Sequence, residues 1–412
     1  MLLLAAVLVV AGNLRGPIAA IGPVIDEITV ELALSPAAVG LLTGLPVLCF
    51  ALAAPLASWL IGRVGVGLAV AGALALLVTG TVVRSSAGFA AAVVGTLLIG
   101  VAITAGNIAI PVVTRRDFPL LIAGVTGAST AAMNLGAMTT TAFTAPIAEA
   151  HGWRWATGVW GFAAAAALVL WVAAGLVRRA RRRPAGLAST SSGPDARLAP
   201  LGAPSPGAPS SDSVALPEPG PLPHVLRRSF VWALALVFAV QSFGYYGMTA
   251  WLPQVLGDVL ALDATRAGGA AAPFQAAAIL SALTVPVFLA RRVPPRVVFL
   301  VLVGLWLALP LGMLLAPAGW PVWVTSAGLA QGGLYTVVIS VVLHRAASVA
   351  DARRSSAAVQ SIGYVLAATG PSVLGQLYGA SGTWTVPMLS LAAAFLVAAA
   401  SGSYAMRPLP AR

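Results

Sequence analysis

The sequence predicts an all-α polytopic membrane protein whose twelve transmembrane helices form two pseudo-symmetric six-helix bundles. Three observations carry that prediction. The 412 residues are 59% hydrophobic and only 8% charged, with a mean hydropathy of +0.95, whereas a soluble domain carries about 25% charged residues. The apolar residues fall into blocks long enough to cross a bilayer, six on each side of one polar break. The two sets of six also echo each other weakly in sequence.

A helical span needs about 20 predominantly apolar residues, so a chain of this length has room for roughly twelve. Cut at charges and at Gly/Pro clusters, the first six blocks lie at 3–25, 37–60, 65–83, 89–113, 121–147 and 155–177. The second six lie at 230–251, 268–290, 297–316, 320–343, 357–379 and 384–405. Helices are expected throughout, because lipid offers the backbone no hydrogen-bonding partner. The first block is read as a span and not as a signal peptide: it lacks a basic n-region, and Asn13, Arg15 and Pro17 interrupt its apolar run. No polar leader precedes it, which points to a true start upstream or to a very short leader.

The domain organisation expected is a bundle over 1–177, a linker over 178–228 and a second bundle over 229–412 with a short tail. The linker carries five arginines within Arg178–Arg183 and then ten prolines from Pro184 to Pro223, mixed with Ser, Gly and Ala. Such a stretch buries too little apolar surface to offset its ordering entropy, and it reads as a disordered tether.

All 23 basic residues are arginine, and the net charge is +12. In a soluble chain that excess would suggest nucleic acid; in a polytopic one it reports orientation. With the N-terminus placed in the cytoplasm, 19 arginines fall in inner loops, linker and tail, and three (Arg84, Arg154 and Arg266) in outer loops. Both termini are therefore expected in the cytoplasm, with no nucleic-acid partner. Cys49 is the single cysteine, which excludes an intramolecular disulfide framework and a cysteine-built metal site.

The internal echo pairs Gly40 to Arg63 with Gly268 to Arg291, each running from an outer Gly through a mid-span Pro to an inner Arg. Gly152-Trp153 before span six likewise matches Gly382-Thr383-Trp384 before span twelve. Parallel repeats of this kind occur in the major facilitator fold.

Particular segments then resemble one branch of the major facilitator superfamily, the cyanate and 2-nitroimidazole permeases. They are Asn13-Leu14-Arg15-Gly16-Pro17, Gly40 to Val47, Gly106-Asn107 through Pro111 to Pro119, and Asn134-Leu135-Gly136. In the second half the matching segments are Trp251-Leu252-Pro253 and Gln360 to Tyr364, with Gly370-Pro371 following. The resemblance covers nearly the whole chain outside the linker. It implies an inner-membrane transporter of a small anion or small polar aromatic. The loop Ile61-Gly62-Arg63-Val64-Gly65 departs from the superfamily's usual gating motif, lacking its aspartate and basic cluster.

Arg15 is the sharpest candidate for function. It stands about 22 Å along the first helix at 1.5 Å per residue. An arginine at mid-span costs ~2.5–3.5 kcal/mol on insertion scales, so it is expected to face a cavity or a partner. By the cuts above, no other basic residue and no carboxylate lies inside a span. A guanidinium without a resident counter-ion is a receptor for a carboxylate or other planar anion; the alternative is a structural clamp held by helix-end carbonyls or by Asn and Gln side chains.

Neutral polar residues supply the rest of the expected substrate site: Asn13, Asn107, Asn134, Gln241, Tyr245, Gln275, Gln331, Tyr335 and Gln360. Each has the alternative of a plain interhelical hydrogen bond. Trp251 is expected to be an interfacial anchor, and the pairs Gly95–Gly100 and Gly328–Gly332/Gly333 to be close helix contacts. Asp26, Glu27, Asp117 and the three histidines read as solvated loop groups, so no mid-span residue offers itself for proton coupling.

The functional expectation is a monomeric secondary transporter of a small anionic or polar solute, working by alternating access without cofactor or metal. A multidrug-type exporter of the same fold and a non-transporting receptor are the alternatives. A membrane-embedded enzyme would need clustered His, Asp, Glu or Cys at membrane depth, and the sequence has no such cluster.

Overall fold

The computed structural model describes residues 2–86, 88–182, 226–346 and 348–407. Among these residues the secondary structure is helical, with no strand. Span one is discontinuous: helix Leu2–Gly12, a turn at Asn13–Arg15, a short helix Gly16–Ala19, a 3-10 turn Gly22–Val24 and helix Ile25–Glu31. Span two joins Pro36–Leu52 to Ala54–Val64 through a 57° bend beside Pro55. Spans three to six are Val66–Arg84, Gly88–Asp117, Ile122–His151, and Trp153–Gly158 with Trp160–Arg182.

In the second half, spans seven to ten are Ser229–Leu260, Ala264–Ala290, Pro295–Leu315 and Trp320–Arg345. Span eleven is Val349–Ala367 with Gly370–Ser381, broken at Ala368 and Thr369, and span twelve is Thr385–Ala405. Span five carries six threonines, at 126, 130, 139, 140, 141 and 144. Several of its hydroxyls are satisfied inside their own helix, with Thr139 bonding the carbonyl of Leu135 and Thr144 that of Thr140, while those of Ser129 and Thr141 are buried without a partner. At 30 residues it is long enough to cross the hydrocarbon core.

Span six continues to Arg182, past the boundary expected at 177. Arg178 is held there by Asp117 of span four at 2.7 Å, and basic residues suit the negative end of a helix dipole. Apart from its two ends, the stretch 178–228 lies outside the described residues.

An even number of spans leaves both chain ends and the linker on one face, the linker face. The bundles are drawn together on the opposite, far face. One apolar core belongs to the first bundle alone, while the core of the second takes in Ile21, Ile25, Ile28, Val39 and Trp153 from the far end of the first. The sequence echo explains part of that closure. A methyl group on Gly40 would collide with the Ser372 backbone of span eleven, and one on Gly268 with the Thr141 carbonyl of span five. Equivalent glycines of the two halves thus make equivalent crossings between bundles.

Hydrogen bonds seal the same face: Gln254 donates to Asp26 at 2.8 Å and Thr265 to Glu149 at 2.6 Å. The second echo makes equivalent contacts within each bundle. Trp153 donates its indole N–H to Glu31 at the end of span one, and Trp384 donates to Asp258 at the end of span seven. On the linker face the ion pairs join spans of one bundle, Arg178 with Asp117 and Arg228 with Asp351, each at 2.7 Å. Asp117 is therefore not a solvated loop charge; its side chain is only 6% exposed, between Arg116 and Arg178.

Candidate functional site

The break in span one sets Arg15 in a turn, just before the short helix that starts at Gly16-Pro17. Pro17 lacks an N–H and tolerates the first turn of a helix, while Gly16 lies close against Thr140 of span five. A second close approach fixes the register, since Gly136 of span five lies against the backbone of Gly12. These contacts bring Arg15 opposite Asn134, whose Oδ1 accepts from Nη1 at 2.7 Å. The Asn134 amide is oriented by donating to the Thr130 carbonyl at 3.0 Å.

On its other side the guanidinium lies over the ring of Tyr245 of span seven, 5.1 Å from the centroid. That is within cation–π range. The cation from one bundle therefore rests on an aromatic face from the other. Tyr246, Tyr364 and Tyr335 join Tyr245 through ring contacts with one another and with Phe50 and Phe238, so four of the chain's six tyrosines belong to the ring cluster on which the charge rests.

The rings form a continuous wall. Tyr245 touches Tyr246 at 4.8 Å and stacks on Phe274 at 6.1 Å between centroids. Phe238 meets Tyr364 at 5.1 Å and Tyr335 at 6.0 Å. Phe50 of span two reaches over from the first bundle to Tyr364 at 5.5 Å and Tyr246 at 6.1 Å. Tyr335 is 44% exposed although its ring meets the fully buried Phe238.

The other expected residues separate into two groups. Gln360 is half-buried and Asn107 exposed, without a side-chain hydrogen bond among the described residues. Gln241, Gln275 and Gln331 are buried in the second bundle. Gln241 donates to the Gln331 carbonyl at 3.4 Å and Gln275 to the Thr249 hydroxyl at 3.2 Å. Asn13 turns toward span six, bonding the carbonyls of Val9 and Ala163. The side chains of Asn13, Gln241 and Gln275 thus make helix-to-helix contacts in this conformation, while Gln331 takes part through its backbone carbonyl; Gln275 Oε1 and Gln331 Nε2 are left without partners.

Sequence reasoning missed Phe50, Phe238, Tyr246 and Tyr364, because an aromatic ring in an apolar run gives no signal of its own. Tyr246 and Tyr364 were within reach, one as the neighbour of Tyr245 and the other within the segment Gln360 to Tyr364. Two expectations are corrected. Trp251 is not an interfacial anchor: it is 4% exposed and donates to the Pro371 carbonyl at 2.8 Å. Arg84 is not in an outer loop: it is 4% exposed and its Nη1 donates to the Pro17 carbonyl at 2.6 Å. It ends span three, and a long side chain there reaches back into the bundle. Among the described residues no three His, Cys, Asp or Glu side chains converge as metal ligands.

A model of the Major Facilitator Superfamily matches residues 3–371. The chain belongs to that family. Over 411 residues it is 30% identical to the 2-nitroimidazole transporter of Escherichia coli (strain K12), covering 98% of this chain and 95% of that one. It is 29% identical to the uncharacterized transporter YycB of Bacillus subtilis (strain 168), over 98% of this chain and 93% of the relative. The cyanate transport protein CynX of Escherichia coli (strain K12) is 25% identical over 92% of this chain and 90% of its own length. Among solved structures, a bacterial homolog of the human lysosomal transporter Spinster, in an inward-facing and unoccupied conformation, superposes with a TM-score of 0.71. That match has 17% identity and covers 99% of this chain and 98% of the other, so it speaks for the fold alone. The chain is accordingly a multi-pass membrane transporter of the superfamily, and not an enzyme.

Proposed function

We propose that this transporter carries a small planar anion or polar heteroaromatic by alternating access, with Arg15 as its central receptor. The observation that carries the reading is the company Arg15 keeps. Its described partners are a neutral amide oxygen and the face of a tyrosine, and neither cancels its charge. A guanidinium offers five N–H donors in a fixed fork, of which one is engaged by Asn134. Aromatic walls with a few convergent polar groups are the usual composition of a small-molecule site, and a flat solute would lie between the rings while its charge met the fork. The names of the nitroimidazole and cyanate transporters among the relatives agree with a small, flat or linear, nitrogen-containing solute.

Because Arg15 and Tyr245 belong to different bundles, a solute bound there would feel both, which suits a carrier whose halves rock about a midplane site. The 19 arginines that fall by sequence in the inner loops, linker and tail support a cytoplasmic location for both termini and the 178–228 linker, in an inner membrane; the working unit proposed is the monomer. Uptake of radiolabelled cyanate and of a nitroimidazole into proteoliposomes tests the reading. Saturable wild-type uptake that Arg15→Ala abolishes supports it; near-normal uptake by folded Arg15→Ala protein overturns it.

The clamp reading draws on one observation, the bond that ties span one to span five through Asn134. It predicts that Arg15→Ala lowers thermal stability and uptake together. The receptor reading predicts that Arg15→Ala lowers solute binding and uptake well beyond what its loss of stability explains.

A further inference from the structure

At the far face the two bundles repeat one arrangement and complete it differently. In the first bundle, Glu31 at the end of span one accepts from the Trp153 indole and is paired with Arg154. In the second, Asp258 near the end of span seven accepts from the Trp384 indole at 2.8 Å and from the Tyr378 hydroxyl at 2.9 Å, both on Oδ2. The residue after Trp384 is Thr385, where the first half has Arg154 after Trp153. Among the described residues Asp258 has no ion pair, and its Oδ1 makes no hydrogen bond. Beside this carboxylate the surface opens into a cavity of about 410 Å³, which presents polar as well as apolar groups. It is lined by Asp258, Tyr378, Trp384 and Thr385 together with Met313 and Met388, and the rings of Tyr378 and Trp384 stack at 4.2 Å.

We propose that this cavity binds an organic cation, an ammonium or guanidinium group on a small apolar body, which takes the part that Arg154 plays in the first bundle. Three properties select that class. An ionised carboxylate is acceptor-only, and two donors already hold one of its oxygens, so the occupant must donate to the other. An ion pair exposed to water contributes little by itself; Met313 and Met388 supply apolar wall for the body of the ligand, which makes a purely hydrophilic cation a poor fit. The volume lies within the range of about 300–1,000 Å³ common to small-molecule sites. A free amine and the headgroup of phosphatidylethanolamine share this chemistry, and the cavity stands where spans seven, nine, eleven and twelve end at the far face.

The site is separate from the transport site. All its walls belong to the second bundle and lie at the ends of their spans, while Arg15 stands in the mid-span break of the first bundle and meets Tyr245. The two sites also select opposite charges.

The test is thermal unfolding of the purified full-length protein in detergent with benzylammonium, and with benzyl alcohol as the uncharged control of similar size, at constant ionic strength. The wild type is expected to gain stability saturably with benzylammonium and not with benzyl alcohol. Asp258→Asn keeps an oxygen for Tyr378 and Trp384 and removes the charge, so it should fold and lose most of the shift. Thr385→Arg gives the second bundle the pairing of the first and should lose the shift as well. Arg15→Ala should keep it, which separates this site from the transport site. Bilayer discs of phosphatidylglycerol with and without phosphatidylethanolamine distinguish the two sources. A lipid occupant is shown if phosphatidylethanolamine stabilises the wild type but not Asp258→Asn and suppresses the benzylammonium shift; a free amine is shown if the shift is the same in both discs. Equal responses of the wild type to benzylammonium and benzyl alcohol overturn the proposal without any variant. So does a benzylammonium shift that survives in Asp258→Asn or disappears in Arg15→Ala.

Discussion

Arg15 and Arg84 are both arginines set among apolar neighbours of the first bundle, yet the fold treats them in opposite ways. Arg84 is enclosed by its own bundle and ties down a carbonyl freed by the break in span one. Arg15 stands in that span's other break, half-buried, and looks across to Tyr245 of the second bundle. What distinguishes the two is the surface each charge meets: a backbone carbonyl of its own bundle for Arg84, and an aromatic face of the other bundle for Arg15.

The largest effect expected from breaking this contrast is at Arg15. Truncating one partner of a buried charge pair costs about 2–5 kcal/mol, so Arg15→Ala should weaken solute binding roughly 30-fold or more. Arg15→Lys should recover part of it, as a point charge without the planar fork. Competition binding of the solute on detergent-solubilised protein measures both.

Next comes Asn134→Leu, which removes the neutral acceptor at 2.7 Å. A hydrogen bond to a charged group contributes about 1.5–3 kcal/mol. The variant should lose about that much stability by chemical denaturation, because the guanidinium then has only the tyrosine face. Tyr245 sharpens the contrast more gently. Tyr245→Leu removes a cation–π contact worth about 0.5–2 kcal/mol and should weaken affinity by roughly 2- to 30-fold. Tyr245→Phe keeps the ring and should fall well short of that loss.

The smallest effect is expected at the far face. Asp26→Asn leaves Gln254 its acceptor oxygen but removes the charge from an exposed hydrogen bond, where such contacts contribute well under about 1 kcal/mol. A thiol placed near Gly22 should become slightly more reactive to a membrane-impermeant maleimide, reporting a small shift toward an open far face.

Much of the architecture was legible because membrane insertion imposes long apolar blocks and sorts arginines by face. Arg15 was legible for the same reason, since a charge inside a block stands out against its neighbours. Arg84 was misread because it sits at the edge of a block, where sequence cannot tell a side chain that leaves the helix end from one that folds back. The aromatic wall was hidden differently. Phe50 and Phe238 are ordinary residues for a lipid-facing or core position, and only the packing of spans two, seven and eleven turns them toward one charge. Conversely, Gln241, Gln275 and Gln331 looked like cavity residues and lie within the second bundle, because glutamine at membrane depth serves helix association as readily as ligand binding.

The most direct test of the central claim is ligand-induced thermal stabilisation of wild type and Arg15→Ala, using cyanate and a nitroimidazole as probes. Ligand at 100 times its dissociation constant adds about 2.7 kcal/mol to the bound state. The account predicts a saturable rise in the wild type and, at the same ligand concentration, at most about a third of it in Arg15→Ala, each measured from that protein's own unliganded midpoint. An equal rise in both proteins would contradict it.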